Sequence, residues 1–355
     1  MNAEIFDAIA MIEKEKGIPR SYMHEKIAQA LTTAYKRDND GMTDNVFVDL
    51  DEQNKEVHLY VSKLVVEGVE NPLTEIELIE ARELQPGAAL DDLVNIEIPT
   101  KNFGRIAAQT AKQVIIQGIR EAERGMIFQE FTSKEHEVLP ALVTRVDQRN
   151  GSLILEIGAK NEKTEVVLTS GEQAKGEYIR EGDRIKVFVV EVRKSPRGPQ
   201  ILISRTHPGL VKRLFELEVP EIADGLVEIR SIAREAGNRT KIAVWSADEN
   251  IDPRGACIGP KSQRVNAIVA ELRGEKIDIV LFQDDPGEYI AQALAPATVL
   301  RVDVLPEGKS CRVIVPDDQL SLAIGKEGQN ARLAAKLTGY KIDIKPESYK
   351  ESEEA

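Results

Sequence analysis

A duplicated segment near the C-terminus constrains the fold more than any other feature of this 355-residue chain. The second copy reads AIGKEGQNARLAAKLTGYKIDI (323–344), and the looser first copy reads CIGPKSQRVNAIVAELRGEKIDI (257–279). Both place an Ile-Gly turn before a helix-forming stretch and close on the four letters KIDI. Gly325 follows Gly259 by 66 positions, so we interpret the region as two tandem copies of one small unit.

Strand-forming segments precede the turn in each copy. They read VEIRSIARE and TKIAVWSAD in the first copy, and VLRVDVLP and SCRVIVP in the second. A helical segment comes before each pair of strands, and a helix and the KIDI strand follow each turn. The sequence therefore predicts the order helix, strand, strand, helix, turn, helix, strand, first over 205–283 and again over 284–346.

The turn itself combines an accessible backbone with nearby positive charge. Glycines on both sides of two free positions let the backbone approach another molecule, and the first turn of the next helix offers N–H groups that favour anions. This helix–GxxG–helix arrangement is typical of KH domains, which clamp about four nucleotides of RNA backbone. We predict that these residues bind RNA: Gly259, Pro260, Lys261, Ser262, Gln263 and Arg264 in the first turn, and Gly325, Lys326, Glu327, Gly328, Gln329, Asn330 and Arg332 in the second.

The two turns differ where the first copy has Pro260 and Ser262. Proline removes one N–H donor from the loop, whereas serine still allows moderately close approach. We expect Lys261 and Arg264 to compensate with charge, and we expect the first loop to bind RNA more weakly than the second. A lone GxxG also fits an ordinary tight turn, but the matched flanking elements favour the RNA-binding interpretation.

From about residue 138 the pattern changes to short strands. The five segments are EVLPALVTRVD, GSLILEIG, KTEVVLTS, DRIKVFVVEVRK and PQILISRT. They predict an OB-type barrel over residues 135–204, a fold that often binds oligonucleotides, with an SH3-like or other small barrel as the alternative. Basic residues in two turn regions either contact RNA or are ordinary solvated side chains: Arg145, Arg149, Arg193, Lys194 and Arg197.

The first 134 residues predict helices around a small sheet. One helix ends at Gly17, a second opens after Pro19, and a long helix begins near Phe103. This part holds 15 basic and 24 acidic side chains, a net charge of −9 in a chain whose total is −13. The acidity thus belongs mainly to the first third, and the remainder can still attract phosphate if its bases share one face.

Catalytic and metal-binding patterns are missing from the sequence. Cys257, Cys311 and the four histidines show no metal-ligand spacing, and the cysteines lie in apolar patterns that predict inert core thiols. No phosphate-loop, dinucleotide-binding or nucleophile motif is present. No apolar run approaches the roughly 18 residues of a membrane span, and the N-terminus has no targeting pattern. We expect a cytoplasmic, non-enzymatic protein with no cofactor, no metal and no membrane association.

The order of these parts resembles the NusA family of bacterial transcription termination and antitermination factors. The motifs that carry the resemblance are RIAAQTAKQVIIQGIREAER, FELEVPEI, DPRGACIG, RGEKIDIVLF and AIGKEGQNARLA, and the match covers essentially the whole chain. It implies an α+β multidomain fold. The implied domains are an N-terminal α/β RNA-polymerase-binding domain with a long connecting helix (1–134), a five-stranded OB-type β-barrel (135–204), two tandem type II KH domains (205–283 and 284–346) and a disordered acidic tail (347–355). Ser262 departs from the family's usual glycine.

The resemblance implies a transcription elongation factor that docks on RNA polymerase near the RNA exit channel. Such a factor receives single-stranded nascent RNA on the barrel and KH pair, and it modulates pausing, intrinsic termination and antitermination. Further implied partners are other antitermination factors and a ribosomal small-subunit protein, and we expect a monomer. The alternative is a KH/OB-fold RNA-binding scaffold in ribosome assembly or RNA processing, which would not bind polymerase. A phosphorolytic ribonuclease would need a large catalytic domain, for which the chain has no segment.

Overall fold

The computed structural model describes residues 2–38, 45–98, 104–159, 162–196, 198–306 and 308–349. Two compact units divide the chain, residues 1–129 and residues 130–355. The predicted tail lies largely outside the described residues, which end at Tyr349. Within the described ranges, every helix is too short or too polar to cross a membrane.

The first unit packs helices against a four-stranded sheet. Its helices are α1 (Asn2–Lys16), α2 (Arg20–Asp38), α3 (Leu78–Leu84) and α4 (Gly104–Thr132), of which α4 extends into the second unit. Its strands are β1 (Val46–Asp51), β2 (Glu56–Val66), β3 (Glu75–Glu77) and β4 (Leu93–Glu97). Strand β2 pairs antiparallel with β1 and β4 and parallel with β3. Ile27 and Leu31 of α2 are buried in the core.

The second unit opens with a five-stranded antiparallel sheet. Its strands are β5 (Val138–Val146), β6 (Leu153–Ala159), β7 (Glu162–Leu168), β8 (Arg184–Arg193) and β9 (Gln200–Ser204). The strand order is β7-β6-β5-β8-β9, and the sheet curls so that its edge strands β7 and β9 lie near each other. The five predicted strands are therefore confirmed and fit a half-barrel, while the OB-type closure stays a prediction.

Two repeats of one topology follow the curled sheet. The first contains α5 (Pro208–Glu218), α6 (Pro220–Ala223), β10 (Glu228–Glu235), β11 (Arg239–Trp245), α7 (Pro253–Ile258), α8 (Gln263–Glu271) and β12 (Lys276–Leu281). The second contains α9 (Pro286–Ala293), β13 (Arg301–Val304), β14 (Ser310–Val315), α10 (Leu320–Ile324), α11 (Gln329–Thr338) and β15 (Lys341–Pro346). In each repeat the first two strands pair antiparallel, and the closing KIDI strand pairs parallel with the middle strand. The predicted element order is confirmed in both copies.

One buried hydrophobic cluster spans the two repeats. Ala233 and Ala243 of the first repeat pack in the same buried cluster as Leu333 and Leu337 of the second. Alternate residues of β10 lie on one face of its sheet, and α11 packs against this strand. The Ser231 hydroxyl of β10 donates to the Leu337 carbonyl at 2.8 Å. The repeats therefore form one packed body in which β10 runs along α11.

A buried arginine joins the curled sheet to the first repeat. The Arg205 guanidinium donates to both oxygens of Glu177, at 2.7 and 2.6 Å, and its side chain has no exposed surface. It also donates to the Lys186 carbonyl at 2.6 Å and to the Glu271 carbonyl at 2.9 Å. A buried guanidinium is stable only when its N–H groups have acceptors, so these bonds fix the sheet against α8, the helix that follows the first turn.

Candidate nucleic-acid interface

The first glycine of each turn has a conformation that glycine alone adopts readily. Gly259 has φ 71° and ψ 173°, and Gly325 has φ 77° and ψ 169°. A Cβ on Gly325 would lie 2.8 Å from the backbone nitrogen of Asn330, and a Cβ on Gly259 would lie 2.7 Å from Cγ of Arg264. Both turns therefore need glycine here, for the backbone dihedral angles and for close packing against the residue five positions later.

The fourth position of each turn is left-handed, whether it is serine or glycine. Ser262 has φ 59° and ψ 22°, and Gly328 has φ 74° and ψ 15°. Left-handed geometry costs a non-glycine residue only about 1–2 kcal/mol, and a Cβ on Gly328 would meet nothing nearer than Arg332 Nη1 at 3.7 Å. Serine at 262 therefore leaves the shape of the first loop intact.

The third position is left-handed as well, with φ 51° at Lys261 and φ 54° at Glu327. The two loops thus have the same backbone conformation. They differ in their side chains and in the N–H donor that Pro260 lacks. The expected weakness of the first loop must come from these differences and not from a different turn.

Part of the predicted anion-binding capacity is used inside the turns. The Ser262 and Gly328 amides donate to the Gly259 and Gly325 carbonyls, each at 3.1 Å. The amides of Gln263 and Gln329 donate to carbonyls of the loop in the same way. These short-range bonds satisfy donors that an abrupt helix start would leave unpaired. The expectation that the helix start offers unpaired N–H groups is therefore wrong for the Gln263 and Gln329 amides.

The tips of both loops are open to solvent. Pro260, Lys261, Lys326 and Glu327 are all exposed. In the second repeat, Ile324, directly before the loop, is 38% exposed. The second loop therefore presents a lysine and apolar surface together, a combination suited to a phosphate and an unstacked base.

The residue five positions after the first glycine supports the loop from beneath. Asn330 is only 4% exposed, and its Nδ2 donates to the Leu294 and Ala323 carbonyls at 2.9 and 3.0 Å. Its counterpart Arg264 donates through Nη1 to the Ala256 carbonyl at 2.6 Å. The predicted RNA contact is corrected for the Asn330 side chain, which is buried because it holds the end of the preceding helix.

The guanidinium of Arg264 also faces the protein. Its Nη1 donates to the Glu221 carboxylate of α6 at 2.8 Å, so this charge is partly neutralised within the first repeat. The expectation that Arg264 supplies charge to RNA stays a prediction, for a guanidinium whose Nη1 already has two acceptors. Its geometry makes it a support of the first loop.

Arg332 pairs with a carboxylate from the other repeat. Its Nε donates to Glu235 of β10 at 2.7 Å, and its Nη1 donates to the Glu327 carbonyl of the loop at 2.9 Å. The side-chain amide of Gln329 donates through Nε2 to the same carboxylate at 2.9 Å. The hydrogen bond from Arg332 lowers the pKa of Glu235 below its ordinary value, although burial acts in the opposite direction. We call Glu235, Gln329 and Arg332 the cross-repeat bridge.

Glu235 could not be recognised in this role from the sequence. It is one of 60 acidic residues and lies 94 and 97 positions from its two partners. Only the packing of α11 along β10 brings the three side chains together.

Basic side chains at the turns of the curled sheet are exposed. Those within the described ranges are Arg145, Arg149, Arg193 and Lys194, whereas Arg197 lies outside them. Arg193 donates to Glu191 at 2.6 Å, so its charge is shared with a neighbouring carboxylate. These residues border the sheet and stay candidates for RNA contact.

The two cysteines are confirmed as core thiols. Burial raises the pKa of Cys257 to about 12 and that of Cys311 to about 11, so neither is a thiolate near neutral pH. Among the residues that the structure describes, no three His, Cys, Asp or Glu side chains are grouped to hold a metal ion.

Comparison with known proteins gives concordant matches along the chain. Family models match residues 4–125 as the NusA N-terminal domain, 205–282 as a NusA-like first KH domain and 286–352 as a NusA-like second KH domain. The "Transcription termination/antitermination protein NusA" of Halalkalibacterium halodurans is 53% identical over 348 residues, covering 98% of this chain and 89% of that protein. The protein of the same name from Bacillus subtilis is 52% identical over 348 residues, covering 98% and 92%. The solution structure of the N-terminal domain of NusA from B. subtilis aligns with 35% of this chain and 99% of its own, at 44% identity and a TM-score of 0.32.

Proposed function

Since this chain belongs to the NusA family of transcription termination/antitermination factors, we propose that it docks on RNA polymerase near the RNA exit channel and modulates pausing, intrinsic termination and antitermination. The relatives are named as transcription factors, a non-enzymatic family. In this proposal the protein acts by binding two partners, RNA and RNA polymerase, and catalyses no reaction.

One observation supports the RNA-binding part of the proposal. The two glycine turns have the same backbone conformation, and the repeats that carry them pack together. In this proposal single-stranded nascent RNA crosses both turns, and its phosphates accept hydrogen bonds from the loop backbone at Lys261, Lys326 and Glu327. The Lys326 ammonium and the Arg332 guanidinium add charge to the second site. Pro260 cannot donate, so the first site binds phosphate more weakly.

Bases in this proposal are bound with little aromatic stacking, because aromatic residues make up only 5% of the chain. Exposed Ile324 offers an apolar contact next to the second loop, and base edges are read by hydrogen bonds. The curled sheet, as an OB-type barrel over 135–204, extends the RNA path through Arg145 and Arg149. Residues 205–283 and 284–346 act as the two KH domains of this surface.

Polymerase docking is assigned in this proposal to residues 1–134. Their net charge of −9 discourages RNA from binding there, which leaves that part for a protein partner. Other antitermination factors and a ribosomal small-subunit protein are the further partners, and the protein works as a cytoplasmic monomer.

An in vitro transcription assay on a template with a hairpin pause tests the proposal. We expect the pause lifetime to rise when the protein is added, and the rise to shrink for a chain with Lys261→Asp and Lys326→Asp together. An unchanged lifetime with the unaltered protein would remove the polymerase half of the proposal. Failure to co-purify with RNA polymerase would instead favour an RNA-binding scaffold in ribosome assembly.

A further inference from the structure

The cross-repeat bridge makes the second loop depend on a side chain of the first repeat. Arg332 contacts the loop through the Glu327 carbonyl and contacts β10 through Glu235. At the other end of α11, Ser231 of the same strand holds the Leu337 carbonyl. Strand β10 therefore fixes α11 at both ends, and the end nearer the loop is fixed through a charged side chain.

The first loop has no such dependence on the second repeat in the residues described. Its supporting arginine, Arg264, donates to Glu221, and both residues belong to the first repeat. The position equivalent to Arg332 in the first repeat is Asn266, which is exposed and uncharged. The two loops thus share a backbone but differ in which repeat supplies the supporting carboxylate.

The geometry points to Glu235 as a positioning residue that aims the Arg332 guanidinium at a phosphate held by the second loop. This inference rests on the proposed RNA-binding function. A guanidinium has five N–H groups, and the contacts to Glu235 and the Glu327 carbonyl use two of them. The Arg332 side chain is 48% exposed, so the remaining N–H groups can reach a phosphate without a search through rotamers.

A carboxylate at this place also has an opposing effect, because it lowers the positive potential that attracts phosphate. Glutamine and alanine separate the two effects. Glu235→Gln removes the charge and keeps an oxygen that accepts from Arg332, whereas Glu235→Ala removes both. The difference between these two variants therefore reports positioning alone.

The experiment measures binding of the full-length chain to a fluorescent single-stranded oligoribonucleotide at fixed salt. We expect Glu235→Ala to bind about threefold more weakly than Glu235→Gln, a ratio within the range of exposed ion-pair contributions. In an Arg332→Ala background we expect the two Glu235 variants to bind equally. The Arg332 Nε–Hε NMR signal should be sharp in the glutamine variant and exchange-broadened in the alanine variant.

Glu221→Gln and Glu221→Ala provide the matched control in the first repeat, and both should leave the Arg332 signal unchanged. Thermal unfolding verifies that each variant is folded. If Glu235→Ala does not fold, Glu235→Thr replaces it, since threonine favours strands and is too short to reach Arg332.

Equal affinities of the glutamine and alanine variants would overturn the inference, and so would a difference that persists without Arg332. The proposed function fails by a separate result. If Lys261→Asp and Lys326→Asp together leave RNA affinity unchanged, the loops do not bind RNA. If that double variant weakens binding while the Glu235 variants agree, only the positioning role is lost.

Discussion

The two glycine turns have the same backbone and different supports. In the first, Arg264 lies beneath Gly259 and pairs with Glu221 of its own repeat. In the second, a neutral Asn330 fills the space beneath Gly325, and the charged support comes from Glu235 of the other repeat. The turn conformation is therefore a local property of the repeat, whereas the charge that surrounds it is set by packing between repeats.

Two copies of a motif are therefore not equivalent sites even when their backbone dihedral angles agree. The first repeat folds its loop with its own residues. The second loop has a support that disappears if the first repeat moves away from α11. A change in the position of the first repeat can consequently alter the second loop through Glu235.

The largest effect is expected from the first glycines. Gly325→Ala should lower the free energy of unfolding by about 3 kcal/mol, since it combines a strained backbone with a Cβ 2.8 Å from the Asn330 backbone nitrogen. Gly259→Ala should cost less, because the contacting atoms belong to the flexible Arg264 side chain. Urea unfolding of the full-length chain, followed through the transition of the second unit, measures both.

Gly328→Ala is the internal control for this pair. Its backbone is left-handed but its nearest neighbour is 3.7 Å away, so we expect a loss of only about 1 kcal/mol. Equal losses at Gly325 and Gly328 would mean that contact with Asn330 does not restrict the turn.

Much of this comparison could be predicted from the sequence. The 66-residue spacing, the strand patterns and the glycines defined both repeats. Apart from the spacing between the two copies, these signals are local, because each depends on side chains within a few positions of one another. The short elements β3, α3 and β4 were not predicted, since three to seven residues carry too little periodicity.

The supports of the loops could not be predicted, for a physical reason. Arg264 and Asn330 were expected to face RNA, since a polar residue near a helix start commonly lies on the surface. The burial of Asn330 and the position of the Arg264 side chain beneath the turn follow from the missing Cβ of the glycine five positions earlier, which opens space there. Arg205 and Glu235 depend on contacts between distant segments, and no spacing rule indicates which of many carboxylates an arginine will meet.

The next effect concerns the residues beneath the glycines. Asn330→Ala should lower the free energy of unfolding by about 2 kcal/mol, because it removes the side-chain donor to the Leu294 and Ala323 carbonyls in the core, although the Ala297 amide still donates to Leu294. Arg264→Ala should cost about 1 kcal/mol, since its partners are closer to solvent. The same urea experiment ranks them, and a larger loss at Arg264 would show that the first loop relies more on its support.

RNA affinity gives the third comparison. Lys326→Asp should weaken binding of a single-stranded oligoribonucleotide about tenfold at moderate salt, because it reverses a charge next to a phosphate. Lys261→Asp should weaken binding only about threefold. The first loop has no N–H donor at Pro260, so it contributes less to binding than the second loop does. Both lysines are exposed, so the fold should be unaffected. These substitutions change charge without altering the turn conformation, whereas changes at Gly259 and Gly325 would disturb the turns themselves.

The salt dependence of the same titrations provides the control. Each variant should reduce the magnitude of the slope of log affinity against log salt by about 1, the amount that corresponds to one phosphate contact. A greater loss from Lys261→Asp would reverse the assigned order of the two loops. Equal slopes in all three proteins would indicate that neither lysine contacts phosphate.

The smallest effect is a pH dependence that isolates the cross-repeat bridge. Arg332 lowers the pKa of Glu235, so the folded chain holds this proton less tightly than the unfolded chain does. The resulting stability is fully present above the ordinary glutamate pKa of about 4.3 and is lost as the pH falls through the lower folded value. We expect the free energy of unfolding of the unaltered chain to exceed that of Glu235→Gln by about 0.5 kcal/mol at pH 7, and this excess to shrink as the pH falls below the ordinary glutamate pKa. Other carboxylates titrate in both proteins and cancel in the difference. In an Arg332→Ala background the difference should be smaller at neutral pH, because the hydrogen bond from Gln329 and the charge of Lys336 still lower the pKa of Glu235. A difference that stays constant from pH 7 to pH 3 would mean that Glu235 stabilises the chain without the Arg332 charge, and the second loop would then be as independent as the first.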